Sequence, residues 1–301
     1  MPNQINLFTP AIEHKQAALD AMQNFSFSEA KAELEIALEI DPYLADLFTL
    51  LQAVDFLLQA DVHAGTDASG LVRAWKKLRQ QRGTLPRPVS SVAETTICQR
   101  VLHVLPSDTS GFVDTEEKEL HSGACYLILQ RYEEAYDKLL YYLTAHTDEA
   151  NARLWGYFGD ACLKLMRHGE ANIGYVRALF TDAQVVDMER LQQQDLKRFY
   201  RELIREFGEK TGKARLPIHA WMNNVLTIPK GNTWLAPWLR KCGYFVSEEL
   251  SEPWQRCQAF ALLLYVDRSG LHNEVEVDVR TEMQRLDKDL FRQYLAKIGG
   301  S

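Results

Sequence analysis

The chain has 301 residues, nearly half of them hydrophobic and a quarter charged, a composition that excludes a disordered polymer. Its formal charge of -7 disfavours nucleic-acid binding driven by bulk charge. The acid is uneven: residues 1–183 hold 16 Lys and Arg against 25 Asp and Glu, whereas residues 184–301 hold 18 against 16. The two parts therefore present different surfaces. The five cysteines form no CxxC pair, and their odd number argues against a disulfide framework. The first residues lack a basic segment followed by an apolar run, so no signal peptide is expected. The longest apolar run, Ala259–Val266, is too short to span a bilayer, and a cytoplasmic setting is expected.

Helical periodicity dominates from the start, and neither Asn-Gly nor Asp-Gly hairpin turns occur. A helix is expected over 11–23. A second opens with Ser28 as N-cap and ends at Asp41-Pro42, because proline disfavours helix in the residue before it. The short NFSF turn makes these two antiparallel neighbours. Further helices are expected near 44–60, 68–81, 89–104, 115–129, 132–145, 150–166 and 169–181. After them come 188–207, 217–226, 234–241, 253–266 and 278–297. Breaks are expected at 82–88, 105–111, 208–217 and 228–232, where Gly, Pro and polar residues cluster. The alternation in Asn273–Val279 reads as a short strand or as the acidic approach to the last helix. The fold class expected is all-α.

Internal similarity decides the architecture. The segment Leu154–Ala183 carries Trp155, Phe158, Gly159 and Cys162 on one helical face, a short turn, then Ala171, Tyr175 and Ala178 on another. Small residues let two antiparallel helices approach, and the large aromatic ones fill the space beside them. Corresponding offsets hold Gly123, Tyr126, Ala135, Leu139 and Tyr142, and again Ala18, Ala21, Ala30, Leu34, Ala37 and Pro42. These residues resemble the tetratricopeptide repeat family, a helix–turn–helix unit of about 34 residues. Copies are read at about 11–44, 116–151 and 152–185, with 45–115 degenerate and with room for about two helix pairs. The copies depart from the pattern at Ala183, Glu119 and His14. The resemblance implies a domain over 1–185 and leaves a Trp-rich helical module over 186–301.

Such arrays stack into superhelices whose concave face is lined by first helices. The resemblance thus implies a noncatalytic adaptor or scaffold that binds a protein or peptide; charge, apolar run length and motifs add the expectation of no nucleic acid, membrane, metal or cofactor, and a homo-oligomer stays open. In the best copy Arg153, Tyr157, Asp160 and Lys164 are the first-helix residues not used for packing, and either line the groove or form an ordinary solvated face. One subset of the family grips a terminal carboxylate with Lys, Asn and Arg. Here Lys15 matches one place, but Leu19, Leu120 and Ala124 stand at the others, so that clamp is not expected.

The module over 186–301 holds four of the six tryptophans. Trp234 and Trp238, one helical turn apart, either fill a satellite core or form an exposed pair for a partner. Lys197, Arg201 and Arg205 make a like-charged stripe that either meets an acidic surface or is simply solvated. A small-molecule or enzymatic module with polar groups converging near His219, Asn223 and Asn224 is the alternative, and a self-assembling structural protein is a second.

Catalytic motifs are weak. "GEKTGK" (Gly208–Lys213) fails as a phosphate loop in length, in the Ala214 that follows, and in being preceded by a helix. His121 and Cys125 are four residues apart but lack a second metal-binding pair. Asp267 and Ser269 read as turn chemistry at a helix end. No enzymatic activity is expected.

Overall fold

The computed structural model describes residues 9–105, 111–113, 118–146, 151–231, 250–272 and 278–299. These residues are all-helical: they contain fourteen α-helices and no strand beyond an isolated bridge between Phe112 and His121. The chain divides into two compact units, Met1–Arg131 and Tyr132–Ser301. That division falls inside the second expected repeat copy, between its two helices.

The first unit holds α1 (Thr9–Gln23), α2 (Phe27–Ile40), α3 (Leu47–Gln59), α4 (Ala68–Gln81), α5 (Arg87–Val104) and α6 (Ser122–Ile128). Ser26, not Ser28, is the N-cap of α2, and the carbonyl of Ser26 accepts from Ala30 N. The buried positions of α2, Phe27, Ala30, Leu34 and Ala37, follow a three–four spacing and pack against α1 and α3. Beyond α3, in the segment read as degenerate, the helices do not pack simply in chain order. One helix, α5, packs against both α3 and α4. It buries Val89, Ala93, Ile97 and Val101, and Arg82 ties the end of α4 to Glu94 at 2.9 Å. The sixth helix is shorter than the expected 115–129, because His121 is its N-cap, accepting from Gly123 N through Nδ1 at 3.0 Å.

The second unit holds α7 (Tyr132–Ala145), α8 (Ala152–Lys164), α9 (His168–Asp182), α10 (Gln194–Phe207), α11 (Glu209–Met222), α12 (Pro253–Ser269), α13 (Val279–Leu286) and α14 (Lys288–Gly299). Within it α8 and α9 form the tightest pair. A Cβ on Gly174 would lie 2.8 Å from the Gly159 backbone, and one on Gly159 would meet the Tyr175 ring at 2.8 Å. Gly159 and Tyr175 thus pack as the spacing implies. The closest backbone approach, however, belongs to Gly174, while Ala171 is simply buried.

Three expected boundaries move. Residues 188–190 form a turn and 191–193 are irregular, and α10 begins only where Gln193 Oε1 accepts from Asp195 N at 2.7 Å. The expected break at 208–217 is helix: Gly208, at φ +78°, makes the turn, and α11 runs through Pro217. A Cβ on Gly212 would lie 2.8 Å from Ile204 N, so this glycine permits the crossing of α10 and α11. The final helix is split at Asp287, whose Oδ1 accepts from Asp289 N and Leu290 N at 3.0 and 2.9 Å. The expected helix at 234–241 and most of Asn273–Val279 lie outside the described residues.

The apolar run Ala259–Val266 is the centre of this unit. Every one of its residues is buried, because α12 packs against α9, α11 and α13. A helix apolar all round belongs inside a protein. Among the described residues no helix is long and apolar enough to cross a membrane.

Candidate binding surface

Nine large hydrophobic side chains are exposed among the described residues, and four of them lie between Ile36 and Phe48. Ile36 and Ile40 are four residues apart on α2, outside its buried row. Tyr43, 95 % exposed, lies in the turn after α2, and Phe48, 59 % exposed, in the first turn of α3. Monomeric surfaces tolerate scattered apolar residues, whereas a local concentration marks an interaction site.

The turn that presents them is firmly held. The Asp41 carboxylate accepts from Tyr43 N at 3.0 Å, and the Asp41 carbonyl accepts from Leu44 N at 3.2 Å. From α1, Lys15 Nζ donates to the Ala45 carbonyl at 2.8 Å and lies 4.0 Å from Asp46 Oδ2. Lys15 is therefore committed to this chain's own turn. Asp46 takes φ +69°, a left-handed conformation that costs a non-glycine residue about 1 kcal/mol or more. The electrostatics are one-sided. No Lys or Arg occurs between Lys31 and Arg73, while that interval holds eight Asp and Glu. Lys31 itself is held by Asp55 at 2.8 Å, with Glu35 at 3.9 Å. Glu35, Glu39 and Asp46 remain exposed beside the apolar residues.

The side chains picked out from the repeat do not share one surface. On α8, Asp160 and Tyr157 are buried, so their expected solvent-facing placement is corrected. Arg153 is half-buried and donates from Nε to the Val185 carbonyl at 3.2 Å; only Lys164 is exposed, 6.0 Å from the centre of the Tyr132 ring. The segment after α9 folds back onto α8 at Arg153, Gly156 and Asp160. Gly156 accommodates Val186, and Asp160 Oδ1 accepts from Gln192 N and from the Tyr175 hydroxyl, both at 2.7 Å. Burial pushes the Asp160 carboxyl up to about 7, against the opposing pull of these two donors and of Lys197. Trp234 and Trp238 lie outside the described residues.

The polar trio of the alternative reading does not converge either. The His219 ring packs edge-on to Phe199 at 4.6 Å, and burial lowers its pKa. Asn223 Nδ2 donates to the His219 carbonyl, whereas Asn224 Oδ1 accepts from Lys297 Nζ at 2.5 Å. Of the possible metal pair, Cys125 is buried and His121 is spent on capping. No cluster of three or more metal-binding side chains occurs among the described residues.

Asp267 is corrected from a turn residue to an anchor. Its buried carboxylate receives Arg280 Nε at 3.0 Å and the Tyr294 hydroxyl, tying α12 to α13 and α14. Burial alone would raise its pKa, but Arg280, Tyr294 and His272 together hold it below the usual carboxylate range. Replacing it, Asp267→Ala, leaves the buried Tyr294 hydroxyl without an acceptor. A loss of about 1–3 kcal/mol is expected, read from chemical unfolding near neutral pH. An unchanged unfolding midpoint would contradict the anchoring role.

No family model, curated protein or solved structure matches the chain. The functional reading therefore rests on the molecule's own chemistry.

Proposed function

We propose that this protein is a noncatalytic adaptor or scaffold that binds a protein or peptide through an array of helix pairs similar to tetratricopeptide repeats. The observation that carries the reading is the set of exposed apolar side chains Ile36, Ile40, Tyr43 and Phe48, presented by α2, the start of α3 and the hydrogen-bonded turn between them. The close pairing of α1 with α2 and of α8 with α9 supports the repeat reading, since small residues at helix contacts are what such arrays need. The described cysteines, Cys98, Cys125, Cys162 and Cys257, are buried and lie outside disulfides, which accords with a reducing compartment.

The experiment is affinity capture from lysate with the full chain and with its Tyr43→Ala/Phe48→Ala variant, read by quantitative mass spectrometry. Both side chains are exposed, so the variant is expected to keep its unfolding midpoint. Removing two aromatic contacts from an interface is expected to reduce recovery of a specific partner about tenfold or more. Equal recovery with both chains would move binding away from this strip. A chain that retains no protein in either form would overturn the adaptor reading.

A further inference from the structure

We propose that the strip on α2 and α3 receives a basic amphipathic helix from a partner protein; this rests on the adaptor reading and names its ligand. Three features of the surface define the occupant. First, Ile36 and Ile40 form an exposed apolar row one helical turn long on α2, and Tyr43 and Phe48 add exposed apolar side chains in the turn after α2 and the first turn of α3; the i, i+3, i+4, i+7 face of an amphipathic helix is the partner surface that meets such anchors. Second, the exposed charges beside it, Glu35, Glu39 and Asp46, have one sign. The two neighbouring cations are already committed, Lys15 to the Ala45 carbonyl and Asp46, and Lys31 to Asp55 and Glu35. Acidic, phosphorylated or nucleic-acid ligands and anionic lipid surfaces would meet repulsion there, whereas Lys and Arg flanking an apolar face would be attracted. Third, hydrogen bonds to Asp41 hold the backbone of the turn at Tyr43 and Leu44, so little backbone freedom remains to be lost there on binding.

A second copy of the chain docking strip to strip would juxtapose like charges, and the long cation-free interval makes that pairing unfavourable.

The test uses the full chain and a displayed random-peptide library. Wild-type protein is expected to enrich basic sequences with apolar residues at helical spacing. Binding of a synthesised winner is expected to fall about tenfold in Ile40→Asp, in Glu35→Lys/Glu39→Lys, and when its Lys residues are replaced by Gln. It is also expected to weaken as salt is raised. All substitutions are at exposed positions, and circular dichroism verifies each fold. Enriched peptides that are neutral or acidic, or that bind the variants equally well, would overturn this inference while leaving the adaptor reading in place. No enrichment, together with an empty lysate capture, would overturn both. A concentration-dependent dimer in sedimentation that is lost in Tyr43→Ala would assign the strip to a second copy and overturn the basic-helix inference.

Discussion

The unit Tyr132–Ser301 is expected to lose stability as pH rises from about 4 to about 7, and Asp160→Asn is expected to abolish most of that loss. The cause is burial. Asp160 sits between α8, α9 and the turn at Gln192, and its carboxyl is pushed from its ordinary 3.8 up to about 7. A raised folded-state value means that the folded chain holds this proton more tightly than the unfolded one. Its contribution is fully present below the unfolded value, falls across the interval, and is gone above about 7. At about 1.4 kcal/mol per pH unit the interval corresponds to about 4 kcal/mol. In Asp160→Asn the amide oxygen can still accept from Tyr175 and Gln192 N, but nothing titrates. Burial also raises the Asp182 carboxyl, which acts with the same sign as Asp160, while two other groups of this unit have the opposite sign. The depressed Asp267 stabilises above the usual carboxylate range and loses this effect only in stronger acid, and burial of His219 disfavours its protonated form. Urea unfolding at a series of pH values, wild type against variant, separates these contributions. Parallel curves for the two proteins would refute the assignment.

Gly174→Ala is expected to be among the most damaging single-methyl changes in the chain. The added carbon would lie 2.8 Å from both Cα and N of Gly159 and 3.0 Å from the Trp155 carbonyl. All three are backbone atoms, so no side chain can rotate away and α8 must separate from α9. Overpacking of this kind costs about 1–3 kcal/mol, and more where backbone must move. A useful comparison is Gly169→Ala in the first turn of α9, where nothing lies within 4 Å of the new carbon. There the expected change is neutral to a stabilisation of about 1 kcal/mol, because alanine restricts the unfolded chain. Thermal and urea unfolding of both variants provide the measurement. A Gly174→Ala protein as stable as wild type would mean that the α8–α9 contact is looser than described.

Much of the helical layout was legible from local rules. Proline at 42 closes α2, apolar spacing marks α4, α7 and α9, and Trp155, Gly159 and Tyr175 pack as their intervals imply. Where the structure departs from local pattern, a small sequence signal is often present. The side chain of Asp287 caps α14, and the Gly208–Gly212 spacing that resembled a weak phosphate loop is a turn followed by a close helix crossing. The candidate strip was legible only in part. The absence of Lys and Arg between Lys31 and Arg73 is visible in the residues, but Ile36, Ile40 and Phe48 are apolar residues on helices, and nothing local says that they remain uncovered.

The sequence by itself determined that the chain is helical, where most helices begin and end, and which residues in a hairpin such as α8–α9 must be small. These follow from backbone dihedral preference, capping and periodicity, all of which act within a few residues. Only the tertiary structure decided that the returning segment 183–193 meets Asp160 and Gly156, that Tyr157 is buried, that α5 serves both α3 and α4, and that Asp267 joins three helices. Each depends on which distant segment covers a given face. A polar side chain on a helix has the same local pattern whether water or a folded-back turn lies above it, and only the packing that excludes water tells the two apart.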